Sequence, residues 1–196
     1  MDRSEAEQIY PAQFRQFFCS WILNPLTVGA VAPSSRTLAK LMVSGMHSGA
    51  RVMELGAGTG MVTRAILDRG VAQSDLHLVE RNASFARLLK QRFPQAILLE
   101  EDATSLVDST RELRGSFDFI VSGLPLVLFS RAQKHRMLEH SFDLLKPTGA
   151  FHQFTYGGRC PIRRHTLEGL DVSASLIGIA PFNVPPAFVY RLHRRH

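Results

Sequence analysis

A strand-like run that ends in an acidic residue and three glycines is suited to holding a cofactor. The segment reads Glu54-Leu-Gly56-Ala-Gly58-Thr-Gly60. Glycine has no Cβ, so such a turn brings the backbone close to a ligand. The dinucleotide-binding pattern places its third glycine where this chain has Met61, which disfavours a pyrophosphate ligand. The segment favours a nucleotide-like cofactor without phosphates, although a plain turn into a helix that starts near Met61 is the simpler alternative.

Two further acidic residues follow the next apolar runs. Glu80 ends the run Leu76–Val79, and Asp102 follows the run at 96–99. Glu80 is a candidate cofactor ligand, because a charged acceptor gains about 1.5–3 kcal/mol per hydrogen bond, and an ordinary exposed carboxylate at a strand end is the alternative. Asp102 precedes a helical-looking stretch, residues 103–113, and is also a candidate N-cap.

The segment Ser122-Gly-Leu-Pro-Leu126 ends the fourth apolar run and is the expected place for the substrate. Open α/β sheets bind ligands beyond the carboxyl ends of their strands. Leu126 offers no ring for stacking on a nucleic-acid base, a contact worth about 1–3 kcal/mol. The segment therefore disfavours a planar base as substrate, and a plain turn is the alternative that the sequence leaves open.

The elements that must position these residues alternate between strand and helix. Strands are predicted over residues 51–55, 76–80, 96–100, 117–122 and 150–156, with helices between them. This order predicts a parallel α/β sheet. Two further β-rich runs, residues 171–180 and 187–192, are joined through prolines and predict an antiparallel hairpin at the sheet.

The composition fits one compact enzyme domain. The 196 residues are 45% hydrophobic, enough for a full core but not comfortably for two domains. Cys19 and Cys160 give no disulfide framework and suit a reducing cytoplasm, and no apolar run approaches the roughly 20 residues that span a bilayer. The eight histidines show no metal-ligand spacing, so we expect no metal. The net charge of +6 indicates an anionic partner, either nucleic acid or a lipid surface.

Aromatic residues at helical spacing predict an amphipathic helix near the start of the chain. The face consists of Tyr10, Phe14, Phe17, Phe18, Trp21 and Ile22. Such a face sinks into the headgroup region of a bilayer or packs against a protein core, and the spacing alone leaves both open.

Five segments together resemble the bacterial phospholipid N-methyltransferases. They are the aromatic helix, Val-Gly-Ala-x-x-Pro-Ser-Ser at 28–35, Glu-Leu-Gly-Ala-Gly-Thr-Gly at 54–60, Ser-Gly-Leu-Pro at 122–125 and Gln-Phe-Thr-Tyr at 153–156. The resemblance implies a Rossmann-like, seven-stranded class I methyltransferase sheet with a reversed last strand. It also implies stepwise methylation of phosphatidylethanolamine toward phosphatidylcholine, with S-adenosylmethionine (SAM) as the donor.

The resemblance assigns residues to the cofactor. In that family the glycine turn holds the amino acid moiety of SAM, the acidic residue after the second strand takes the ribose hydroxyls, and an Asp-Ala pair meets the adenine amino group. The implied cofactor-binding residues are Glu54, Gly56, Gly58, Gly60, Glu80, Arg81, Asp102, Ala103 and Ser122.

The same resemblance suggests residues for the lipid and the reaction. The carbonyls around Ser122, Gly123 and Leu124 and the hydroxyl of Tyr156 are candidates for orienting the amine. Trp21 and Tyr156 would hold methylated cations by cation–π attraction. Contacts with the lipid phosphate are expected from Ser34, Ser35 and Arg159, although Ser34 is also a candidate helix cap.

These assignments predict a domain division and a cellular location for the protein. Residues 1–45 would form an amphipathic, lipid-contacting helical segment, and residues 46–196 the methyltransferase domain. We expect a cytoplasmic enzyme, peripheral on the inner face of the bacterial membrane, with an anionic membrane surface as partner and no nucleic acid. The alternatives are an RNA or DNA adenine N-methyltransferase, which the positive charge favours, and a catalytically weak protein that remodels lipid.

Overall fold

A computed structural model describes residues 33–106, 109–183 and 185–195. The predicted aromatic helix, with Trp21, lies outside the described residues. The described α-helices are α1 Pro33–Met42, α2 Met61–Leu67, α3 Ala83–Arg92, α4 Arg131–Leu144 and α5 Arg164–Gly169. The strands are β1 Val52–Leu55, β2 Leu76–Val79, β3 Ile97–Leu99, β4 Phe117–Ser122, β5 Leu145–Thr155, β6 Val172–Ala180 and β7 Ala187–Arg194.

The strands form one seven-stranded sheet in the order β3-β2-β1-β4-β5-β7-β6. Strands β1 to β5 pair in parallel, whereas β7 is antiparallel to both β5 and β6. The central strands β1, β2 and β4 are buried along almost their whole length, as expected for parallel strands with both faces covered. The predicted doubly wound sheet with a reversed last strand is confirmed. Its order reverses between β1 and β4, where open α/β sheets bind their ligands.

The loop between β6 and β7 lies at the ligand-binding edge of the sheet. Ala180 at the end of β6 pairs with Ala187 at the start of β7, and Thr155 at the end of β5 pairs with Phe188. The predicted hairpin therefore places residues 181–183 and 185–186 beside the carboxyl end of β5, where Tyr156 follows.

Helix α1 packs on one face of the sheet. The backbone carbonyl of Met42 accepts a hydrogen bond from Nδ1 of His152 on β5 at 2.8 Å, which fixes the tautomer of that histidine. Leu41 lies over Gly178 of β6, where a Cβ would come within 2.8 Å of the leucine Cδ2. This helix shares its core with the sheet, and the predicted domain boundary at residue 45 stays a prediction.

Two predictions about helices were wrong. The described residues between 103 and 113 do not form the predicted α-helix. They form turns and a short 3₁₀ helix, Arg111–Leu113. The Asp102 side chain accepts from both the backbone and the hydroxyl of Thr104, which stabilises a local turn that competes with a helix. Helix α1 begins at Pro33, so Ser34 lies within its first turn and not at its cap.

Candidate active site

The glycine turn is held against the end of the neighbouring strand β2. The backbone N–H groups of Gly56 and Ala57 both donate to the carbonyl of Val79, at 2.8 and 3.2 Å. The backbone N–H of Gly58 donates to Oε2 of Glu80 at 2.8 Å. A turn and an acidic side chain that are 22 residues apart in the chain thereby become one rigid unit.

Glu80 retains hydrogen-bonding capacity for a ligand. The side chain is only 8% exposed, and its second oxygen, Oε1, accepts from the backbone N–H of Asn82 at 2.8 Å. An ionised carboxylate has about four lone-pair sites, so two stay available after these two bonds. That number matches two vicinal hydroxyl groups. Beside it, a Cβ on Gly58 would meet no atom within 4 Å, so the turn has open space for a ligand.

Gly60 allows α3 to pack closely on the turn. It has a φ of +80°, and a Cβ there would lie 2.5 Å from Cε2 of Phe93. The end of the same helix also donates to the turn, since Nη1 of Arg92 lies 2.5 Å from the carbonyl of Thr59. Helix α2 begins at Met61, as predicted.

Glu54, at the end of β1 that leads into the glycine turn, is buried and bound to a buried hydroxyl group. It is 2% exposed, and its Oε2 accepts from the hydroxyl of Thr63 on α2 at 2.6 Å. Burial raises the pKa of the Glu54 carboxyl to about 8, while the bonds to Thr63 oppose the rise. Burial therefore favours the neutral form of this carboxyl, and its bond with Thr63 ties β1 to α2. Its expected contact with the cofactor stays a prediction.

Asp102 is held at the end of the third strand with one oxygen partly free. Oδ1 accepts from the backbone N–H and the hydroxyl of Thr104, at 2.9 and 2.7 Å, and Oδ2 accepts from Nη1 of Arg81 at 3.1 Å. The bond from the Thr104 backbone is the main cause of the lowered pKa of Asp102. An ionised Oδ2 with one remaining lone pair fits an amino-group donor. Ala103 is buried beside it.

The predicted substrate loop touches the glycine turn directly. A Cβ on Gly123 would lie 2.9 Å from the carbonyl oxygen of Gly56, and a Cβ on Gly56 would lie 2.7 Å from Cδ2 of Leu124. Gly123 is required for this close approach because its Cβ would meet backbone, whereas Gly56 is favoured by its φ of +73°. Ser122 is fully buried at the end of β4, where its hydroxyl accepts from the backbone N–H of Leu124 at 3.3 Å. The structure thus brings the predicted cofactor turn and the predicted substrate loop into contact.

Gln153 on β5 holds this loop from the other side. It is fully buried and pairs in register with Ser122. Its Nε2 donates to the carbonyl of Leu124 at 3.0 Å and to that of Phe154 at 2.8 Å. Sequence reasoning placed this residue in a motif without giving it a role. The available signal was a long polar side chain between the apolar residues Phe151 and Phe154 of a predicted strand.

Tyr156 lies just beyond β5 and is largely covered. Its ring meets that of Phe154 edge-on, with 5.5 Å between the centroids. Burial raises the pKa of the Tyr156 hydroxyl, and a hydrogen bond with the Asn183 side chain opposes that rise. Asn183 belongs to the loop between β6 and β7, and sequence reasoning missed it because this contact crosses two strands.

Comparisons with known proteins now assign the family. The family model described as "Methyltransferase domain" matches residues 52–149, which contain the glycine turn, Glu80, Asp102 and the substrate loop. The ornithine lipid N-methyltransferase of Singulisphaera acidiphila is 32% identical over 149 residues, which is 72% of this chain and 77% of that protein. This chain belongs to the class I SAM-dependent methyltransferases.

Solved methyltransferase structures share the fold. The 1,6-didemethyltoxoflavin N1-methyltransferase of Burkholderia thailandensis, solved with bound S-adenosylhomocysteine, aligns with a TM-score of 0.67 at 16% identity over 95% of this chain and 89% of that one. The magnesium protoporphyrin IX methyltransferase of Synechocystis PCC 6803, solved with bound SAM, gives 0.62 at 13% identity over 98% and 96%. SAM is the cofactor of this methyltransferase. The lone pairs left on Glu80 and Asp102 and the open turn at Gly58 fit its ribose, its adenine and its amino acid moiety.

The predicted lipid-binding residues of this methyltransferase are only partly described. Arg159 is exposed in the loop that follows β5, at the ligand-binding edge. Trp21 lies outside the described residues, and the surroundings of the Ser34 and Ser35 side chains are likewise not described. The roles of all four stay predictions.

Basic residues from α4 and from the segment that leads into α5 line one small cavity. Its walls are Arg131, Lys134, Ile162, Arg163 and Thr166, from the start of α4 and the start of α5. Both helices follow the carboxyl end of a strand, so the cavity faces the same edge as the active site. Burial lowers the pKa of Lys134, and the nearby Arg163 lowers it further. Three basic side chains, Arg131, Lys134 and Arg163, thus lie together at this cavity.

Neither a bilayer-spanning helix nor a metal cluster is found in the described part of the chain. None of the described helices combines the length and the apolar character that crossing a membrane requires. Within the same residues, no three His, Cys, Asp or Glu side chains converge on a common metal position.

Proposed function

We propose that this methyltransferase N-methylates phosphatidylethanolamine and its mono- and dimethyl derivatives toward phosphatidylcholine, at a membrane surface. The observation that carries the proposal is the 32% identity, over 149 residues, to a protein named as an ornithine lipid N-methyltransferase. Ornithine lipid and phosphatidylethanolamine both present an amine next to an anionic group. The five segments that resemble phospholipid N-methyltransferases favour phosphatidylethanolamine over ornithine lipid as the substrate.

The chemistry of the loop suits an aliphatic amine better than a base. When bound, SAM supplies an electrophilic methyl group on its sulfonium sulfur. Leu126 is 1% exposed and belongs to the core, so this position provides no stacking platform for a planar ring. An alkyl ammonium has a pKa of about 10 and must lose a proton before it attacks. The buried polar side chains of Ser122 and Gln153 support this proposal, because such groups orient an amine that has lost its water.

The ligand-binding edge also has apolar side chains suited to a bilayer. Phe182, in the loop between β6 and β7, is 80% exposed, and Ile179 at the end of β6 is 45% exposed. Exposed Arg159 and the basic cavity at Lys134 flank the same edge. Apolar insertion combined with attraction to anionic lipid is the usual basis of reversible peripheral binding. These side chains support the proposed peripheral attachment to the inner, cytoplasmic face of the bacterial membrane.

Transfer of labelled methyl from SAM tests the substrate. The purified full chain is incubated with vesicles of phosphatidylethanolamine and an anionic lipid, with ornithine lipid vesicles, and with structured RNA. We expect label in mono-, di- or trimethylated phosphatidylethanolamine. Label confined to ornithine lipid would reassign the headgroup, and label confined to RNA would replace the lipid proposal with the adenine N-methyltransferase alternative. A Glu80→Gln variant serves as the control for dependence on the SAM site.

A further inference from the structure

Gln153 has a buried hydrogen-bond acceptor without a partner. Its side chain is fully buried, and its Oε1 is one of four buried side-chain atoms in the described residues that lack a hydrogen bond. Leaving a buried carbonyl oxygen unpaired costs free energy, and such atoms in native proteins call for an explanation. The position of Gln153 beside Ser122, at the ligand-binding edge, points to a ligand.

The orientation of the Gln153 amide is fixed by its neighbours. Nε2 donates to the carbonyls of Leu124 and Phe154. A flipped amide would turn its oxygen toward these two carbonyls, which donate nothing, so the flip is disfavoured. The unpaired atom is therefore the oxygen, and a complementary ligand group must be a hydrogen-bond donor.

The substrate loop itself has little acceptor capacity left at its centre. The carbonyl of Leu124 accepts from Nε2 of Gln153 and from the backbone N–H of Leu126, at 3.0 and 2.9 Å. A carbonyl oxygen has two lone pairs, and both are used here. Beside this loop, Oε1 of Gln153 is a buried acceptor without a partner.

We propose that Oε1 of Gln153 accepts an N–H bond of the substrate amine, so that this residue selects amines that still have N–H groups. The inference rests on the proposed lipid amine substrate. Each methyl transfer replaces an N–H bond with an N–CH₃ bond, and the displaced proton leaves to solvent. A neutral dimethyl amine has no N–H left, so this contact is lost as methylation proceeds.

Binding to the S-adenosylhomocysteine-saturated enzyme tests the contact apart from turnover. The probes are dihexanoyl phosphatidylethanolamine and its N,N-dimethyl derivative, titrated by calorimetry near pH 10, where a large share of the primary amine is neutral. We expect wild type to bind the primary amine about 10-fold more tightly, which corresponds to about 1.4 kcal/mol for one hydrogen bond. Gln153→Met, which keeps the chain length without polar atoms, should abolish this preference and should weaken lipid binding more than SAM binding.

The control is His152→Met, the adjacent buried residue on β5 that binds the Met42 carbonyl on the other face of the sheet. It should keep the preference for the primary amine. A Gln153→Met variant that retains the preference, or that weakens SAM binding as much as lipid binding, would overturn the inference and leave the proposed function standing. If Gln153→Met does not fold, the wild-type titrations still test the inference. Equal affinity of the wild-type enzyme for the two lipids would overturn it. Absence of lipid methylation by wild type would overturn both.

Discussion

The backbone N–H of Gly58 donates to Oε2 of Glu80 at 2.8 Å, which joins the glycine turn to the acidic residue after β2. The same carboxylate receives the N–H of Asn82. These two bonds fix the Glu80 side chain in one position and leave its other lone pairs for a ligand. The preorganised carboxylate is the basis of the first prediction.

Glu80→Gln should weaken SAM binding by about 10- to 100-fold. The amide loses the charge and one acceptor oxygen, and a hydrogen bond to a charged group contributes about 1.5–3 kcal/mol. Calorimetric titration with SAM measures the effect. The matched control is Glu168→Gln on α5, where an exposed carboxylate pairs with Arg164. Equal SAM affinity in wild type and Glu80→Gln would remove Glu80 from the cofactor site.

Gly123→Ala should lower both stability and SAM affinity. Its Cβ would lie 2.9 Å from the carbonyl oxygen of Gly56, so the substrate loop and the glycine turn must separate. Overpacking of this kind typically costs about 1–3 kcal/mol. Gly169→Ala is the control, since a Cβ there meets no atom within 4 Å. Thermal unfolding with and without SAM distinguishes the two variants, and unchanged values for Gly123→Ala would contradict the contact between loop and turn.

Glu54 should make the protein less stable as the pH rises. Its folded pKa of about 8 exceeds the ordinary 4.5 because the carboxyl is buried, so the unfolded chain releases this proton first. The contribution is fully present below pH 4.5 and is lost as the pH rises toward 8. One pKa unit corresponds to about 1.4 kcal/mol, and we expect a change of at least that size.

The measurement is urea unfolding of wild type and Glu54→Gln across that pH window. Taking the difference between the two proteins cancels other titrating groups, including His77 and His152, whose pKa values burial lowers to about 4. The stability of wild type relative to Glu54→Gln should fall with rising pH. A difference that does not change with pH would show that Glu54 ionises as freely in the folded protein as in the unfolded chain.

Tyr156→Ala should reduce kcat/KM on lipid more than Tyr156→Phe does. The ring would supply cation–π attraction to methylated ammonium, worth about 0.5–2 kcal/mol, and phenylalanine retains most of it. Loss of the hydroxyl alone removes the hydrogen bond with Asn183, and Asn183→Ala should reproduce that smaller effect. Steady-state kinetics on mono- and dimethylated lipid measures this order. Wild-type kinetics in both Tyr156 variants would exclude a role for this side chain.

Removal of residues 1–21 should weaken binding to anionic liposomes, because these residues contain the aromatic face that was predicted from sequence. Phe182→Ser should weaken it independently by roughly tenfold, since burying such a side chain contributes about 1.5–3 kcal/mol. Ile97→Ser is the control, because Ile97 is 42% exposed but begins β3, at the other side of the sheet. Co-sedimentation measures all three. Unchanged binding of both the truncated protein and Phe182→Ser would contradict membrane attachment through this edge.

The sequence by itself predicted the sheet and the cofactor turn. Both depend on short-range patterns: apolar runs of strand length, glycines at 56, 58 and 60, and acidic residues after the second and third strands. Patterns of this kind are local, because the end of a parallel strand sets where its following residues lie. The prediction of a helix at 103–113 failed for an equally local reason, as Asp102 and Thr104 bond to each other.

The tertiary structure alone decided which distant residues meet. Gln153 binds the Leu124 carbonyl across 29 residues, and Lys134 donates to the Pro161 carbonyl across 27. Asn183 reaches Tyr156 only because β7 returns antiparallel beside β5. Such contacts depend on strand register and on the packing of whole elements, which composition and periodicity do not specify. The burial of Glu54 was likewise decided by the tertiary structure, since desolvation by the surrounding core raises the pKa of its carboxyl.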